Sequence, residues 1–118
     1  MTVDEAISDL LSISTDIRSL AVFDAAGVLL GSGPTAVGAA AGAAADGLWR
    51  AAAEAADAGD TATALEHVAV DLGDAAVVTL EADGRRIVAL TAAQPPLGLV
   101  LFDLRTCLAD AFPTEADS

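Results

Sequence analysis

Apolar residues recur along this chain with two periods, and the switches between them mark the elements. Val3, Ile7, Leu10 and Leu11 keep helical spacing. Thr2-Val-Asp-Glu5 ahead of them is a capping box, in which hydroxyl and carboxylate satisfy free amides of the first turn. The pattern predicts a short helix to about Ser12, then a polar break from Ser12 to Thr15. From Ile17 to Asp24 the period falls to two, with Leu20 and Val22 on one face and Ala21 and Phe23 on the other, so a strand covered on both sides is expected. Asp24-Ala-Ala-Gly27 suits a type I turn with a glycine bulge, and Val28 to Gly31 returns antiparallel.

The longest element is Pro34 to Ala58, an alanine-rich helix with Ser32 or Gly33 as N-terminal cap, Pro34 at its first position and Gly59 just past its end. Val37, Ala41, Ala44, Leu48, Ala52 and Ala55 form one stripe, and Asp46, Arg50, Glu54 and Asp57 lie roughly opposite. Beside the first stripe runs a second apolar strip, Gly38, Gly42, Ala45, Trp49 and Ala56. It is read either as a wide core stripe or as a contact with another chain, with Trp49 as anchor.

After the loop Asp60 to Thr63, period two returns three times. Ala64 to Leu72 sets Val68, Val70 and Leu72 on one face and Leu65, His67, Ala69 and Asp71 on the other; Ala75 to Glu81 and Arg86 to Ala92 follow, joined by the hairpin turn Asp83-Gly84. Gln94-Pro95-Pro96 stops the sheet, and Leu97 to Phe112 resumes helical spacing through Leu97, Leu101, Leu104, Leu108 and Phe112 until Pro113. The order is helix, two strands, long helix, three strands, helix: an α+β arrangement of helices on an antiparallel sheet. Residues 1–113 are expected to form a single domain, with 114–118 a polar tail.

Composition narrows the partners. Five arginines and no lysine face 18 carboxylates, for a formal net charge of −13, so nucleic acid and anionic membrane surfaces are disfavoured and a basic or mixed protein surface is favoured. The N-terminus has no signal-peptide pattern and no apolar run is long enough to cross a membrane, so a cytoplasmic location without membrane insertion is expected. Cys107 is the only cysteine, which removes an internal disulfide and cysteine-based metal clusters. It reads as a small core residue.

Catalytic signals are weak. Gly31-Ser-Gly33-Pro-Thr-Ala36 fits a loose dinucleotide fingerprint, but it follows a hairpin arm rather than opening a parallel crossover, so it reads as a strand-to-helix turn and no cofactor is expected. His67 has no histidine or cysteine companion, and Asp46 and Glu54 lie on the wet side of their helix, so neither metal binding nor an acid/base pair is indicated. Arg50, Arg85 and Arg86 are candidate partner contacts.

The run IRSLAVFDAAGVLLGSG, an alanine-rich helix, and then VAVDLGDAAVVTLEADGRRIVALTAAQPPLGLVLFDLR resembles the roadblock/dynein light-chain family, within the longin-like and profilin-like folds. The pieces that carry the resemblance are the strand ending Asp24-Ala-Ala-Gly27 and the Pro96 to Arg105 entry into the last helix. The resemblance implies a five-stranded antiparallel sheet, the long helix on one face and the terminal helices on the other. It also implies a homodimer, or a dimer with a paralogous subunit, formed edge to edge along Ala64 to Leu72 with the long helices side by side. Gly38, Gly42, Ala45, Trp49, Ala56, Leu65, His67 and Ala69 are then the interface candidates. The implied function is a non-enzymatic scaffold or regulator that binds a small Ras-like GTPase and stimulates GTP hydrolysis in some members. The rival readings are a hot-dog acyl-thioester hydrolase, which needs a further strand in place of the last helix, and a profilin-like ligand sensor, which needs a cavity between helix and sheet.

Overall fold

A computed structural model describes residues 2–33, 47, 49–52, 54–55 and 67–112. An N-terminal helix, Val3–Ile13, leads into β1 (Ile17–Phe23) and β2 (Leu29–Gly33); β3 (His67–Asp71), β4 (Ala75–Ala82) and β5 (Arg85–Ala92) precede a C-terminal helix, Leu97–Ala111. The described residues between 47 and 55 are helical and belong to the central helix. The five strands form one antiparallel sheet in the order β2-β1-β5-β4-β3.

Local chemistry starts and turns these elements as the sequence predicts. The Thr2 amide donates to Glu5 Oε1 at 3.0 Å and the Glu5 amide to Thr2 Oγ1 at 3.2 Å, closing the capping box. The Thr2 amide also holds the Glu5 carboxyl below its ordinary range. Asp24 Oδ1 accepts from the amides of Ala26 and Val28, both at 2.9 Å, and Gly27 between them takes φ +86°. Asp83 and Gly84 both have positive φ, 53° and 76°, as the tight β4–β5 hairpin requires.

The terminal helices cover one face of the sheet. Ala6, Ile7 and Leu10 from the first, and Val100, Leu101, Leu104, Cys107 and Leu108 from the last, pack with Leu20, Val22, Val78, Leu80, Ile87 and Ala89. The other face, buried at Ser19, Ala21, Phe23, Thr79 and Val88, lies under the central helix. Leu20 and Val22 thus point one way and Ala21 and Phe23 the other, as the alternation requires. A register irregularity between Ile17 and Ser19 leaves Arg18 exposed and returns Ile17 to the side of Leu20, so both enter the terminal-helix core.

Gly31-Ser-Gly33 departs from its expectation as a turn. All three residues belong to β2, with Gly33 paired to Leu20 and Ser32 to Ala21. The reason is contact with the N-terminal helix: a Cβ on Gly31 would lie 2.7 Å from Val3 Cγ1, and one on Gly33 would lie 2.9 Å from Ile7 Cγ2 and 3.2 Å from Leu11 Cδ1. The helix rests directly on strand backbone there. Gly33→Val is therefore expected to destabilise the chain by about 1–3 kcal/mol through overpacking, read as a lower urea midpoint at unchanged slope.

Candidate functional site

The candidate surfaces are those the sheet and its helices leave open. β3 is an edge, and no strand lies beside its outer side among the described residues. Its residues alternate, with His67, Ala69 and Asp71 exposed and Val68 and Val70 half-buried. No proline or lysine blunts it, so its outward backbone groups are a template for another strand. The opposite edge, β2, carries the N-terminal helix over Gly31 and Gly33.

Of the interface residues expected from the sequence, Trp49, His67 and Ala69 are among the described residues. His67 pairs with Leu80 and Ala69 with Val78, both in the terminal-helix core, so His67 and Ala69 lie on that face of the sheet. Ala69 lines a cleft of about 220 Å³ with Val78, Gln94, Pro95 and Leu97. Gly38, Gly42, Ala45, Ala56 and Leu65 lie outside the described residues.

Trp49 corrects its expected role as an exposed anchor. It is only 6% exposed within the single chain, so it is a core residue. Ala52, three residues on, is half-buried, whereas Gly47, Arg50, Ala51, Glu54 and Ala55 are exposed. The buried side is thus centred on Trp49, and Ala55, assigned to the core stripe by periodicity, faces outward. Burial of the indole removes far more apolar area from water than burial of an alanine, which favours this orientation over one that buries Ala55. Gly47, Ala51 and Ala55, four residues apart, leave a row of small side chains on the outside.

The arginines separate as well. Arg86 is not a protruding contact: it is 8% exposed on the central-helix face, opposite Glu81 in the β4–β5 register, with Nη1 3.6 Å from Glu81 Oε2. Arg85 is half-buried, its guanidinium carbon 3.9 Å from the centre of the Phe112 ring. Together with Arg105 it lines a second cleft of about 220 Å³. Arg50 is exposed beside the β1–β2 turn, where Nη2 lies 3.3 Å from the point a Cβ on Gly27 would occupy. The periodic reading missed Leu99 and Phe102, which are exposed on the C-terminal helix. Their signal was present, because neither belongs to the row of Leu97, Leu101, Leu104 and Leu108.

Reactive chemistry is sparse among the described residues. No group of three or more His, Cys, Asp or Glu side chains there is placed to hold a metal. Cys107 is 3% exposed, and burial, with Asp110 and Asp9 adding repulsion, pushes its thiol from 9.0 up to about 11. It stays protonated at neutral pH and is a poor nucleophile. The glycines of the loose fingerprint face a helix rather than a phosphate. Leu97–Ala111 is a helix where a hot-dog hydrolase would need a strand.

No protein-family model matches the sequence, and no curated protein matches it either. Solved structures do match. A crystal structure of a Roadblock/LC7 domain from Streptomyces avermitilis superposes with a TM-score of 0.81 at 13% identity, covering 93% of this chain and 94% of that one. The chain has the roadblock/LC7 fold. A second Roadblock/LC7 domain structure from the same species gives a TM-score of 0.71 at 14% identity, covering 93% of this chain and 98% of the other. The roadblock fold is thus kept here with little shared sequence, as expected where apolar spacing and turn geometry, rather than particular side chains, define the architecture.

Within this roadblock fold the burial of Trp49 has a measurable consequence. Trp49→Ala is expected to lower unfolding stability by about 3–5 kcal/mol. A variant that unfolds like the parent but dissociates on dilution would return the indole to an interface.

Proposed function

We propose that this chain is a non-enzymatic dimeric scaffold or regulator that binds a small Ras-like GTPase. The open edge of β3 carries the reading, because an unblunted edge strand is suited to pairing with a second copy or a paralogous subunit. The outward row Gly47, Ala51 and Ala55 supports it by allowing a second helix to approach closely. The roadblock/LC7 fold supports it as well. The hydrolase alternative is disfavoured by the C-terminal helix. No helix among the described residues is long and apolar enough to cross a membrane.

Two measurements test this. Sedimentation should give a dimer, and Ala51→Glu with Ala55→Glu should weaken it about tenfold or more by placing like charges across the helix contact. Both residues are exposed, so the variant should keep its fold; a monomeric parent overturns the dimer. Gel filtration with a Ras-like GTPase from the same genome should show a complex that depends on whether GDP or a GTP analogue is bound. Single-turnover hydrolysis in the same mixture reads any acceleration, and failure to bind such a GTPase in either state counts against the proposed partner.

A further inference from the structure

The outer side of the terminal helices holds apolar surface that neither the sheet nor the proposed dimer uses. Ile13 is 69% exposed, Leu99 54% and Phe102 65%. Ile13 and Asp103 line one groove between the two helices. Leu99 lies one helical turn before Asp103, and Phe102 immediately before it, so both sit just ahead of the groove at the end of the C-terminal helix nearer Ile13. The backbone supports this placement, because the Ala92 amide donates to the Asp16 carbonyl at 2.8 Å. That bond ties the segment after the N-terminal helix to the end of β5, just ahead of the C-terminal helix.

The titratable groups with carboxylates along the groove are Asp9, Asp103 and Asp110, and no arginine, lysine or histidine lines it. Arg105 is exposed one helical turn after Phe102, so the carboxylates dominate the groove rather than the whole helix face. Single exposed apolar residues are ordinary, but several beside such a groove mark a docking surface.

We propose that this groove binds a short basic amphipathic helix of a partner protein. Its apolar side chains would seat on Ile13, Leu99 and Phe102, while its arginines or lysines meet the carboxylates of Asp9, Asp103 and Asp110. A second copy of this chain is a poor occupant, since a symmetric contact would set the same carboxylates against one another. The face lies across the sheet from the central helix, so a partner here leaves that helix open.

The probe is a labelled peptide of about four helical turns, with leucines at positions i, i+3, i+4 and i+7 and arginines on both flanks, titrated with the full chain. A companion peptide carries glutamate in place of each arginine. The arginine peptide should bind and the glutamate peptide should not. Phe102→Asp should weaken binding about tenfold or more although it adds a favourable charge, because an apolar anchor is lost. Asp103→Asn with Asp110→Asn should weaken binding and reduce its salt dependence. Val28→Asp, at a valine 56% exposed outside both the groove and the proposed dimer edge, should change it by less than about twofold. Circular dichroism should show that each variant keeps its helix content. The proposal is overturned if the arginine peptide does not bind at high micromolar concentration, if the glutamate peptide binds equally, or if Val28→Asp weakens binding as much as Phe102→Asp. It is also overturned if Phe102→Asp dissociates the chain's own oligomer, which would assign the face to a second copy.

Discussion

Both faces of the sheet must be buried, and the segments that bury them come from three separate parts of the chain. β1, β4 and β5 carry apolar residues on both sides, so no strand among them can be left to water. The first and last helices meet on one face around Ile7, Leu10, Val100 and Leu104, where each large side chain contributes roughly 1.5–3 kcal/mol on leaving water. That core closes only when the two ends of the chain come together. Long-range closure of this kind makes the sheet depend on contacts far apart in sequence.

The edges of the sheet differ because the helices are placed unevenly. The N-terminal helix lies on β2 so closely that Gly31 and Gly33 have no room for a Cβ. β3 has no such cover among the described residues. Association is therefore favoured on the β3 side, where an added strand would satisfy backbone groups that otherwise rely on water. The excess of carboxylates acts over a longer range, repelling anionic surfaces and favouring basic ones.

The chemistry of the side chains points the same way. A protonated, buried Cys107 and an Arg86 held beside Glu81 are structural groups. What remains for recognition is edge, helix face and charge. These are the terms in which the scaffold proposed for this chain would discriminate partners.

The sequence by itself determined the elements, their order and most of their faces. The Thr2–Glu5 capping box, the Asp24–Gly27 and Asp83-Gly84 turns and the two-sided β1 are local matters of hydrogen bonding and dihedral preference, fixed by neighbours in the chain. Only the tertiary structure decided the rest. Periodicity cannot show that a bulge at Arg18 sends Ile17 to the other side, or that Gly31 and Gly33 serve a helix crossing above them. It places the polar stripe of the central helix, where Arg50 and Glu54 are exposed, but cannot choose between two adjacent apolar strips, and the burial of Trp49 in the folded chain decides that. Those choices depend on which surfaces meet after the chain has folded back on itself, and residues adjacent in sequence carry no record of that meeting.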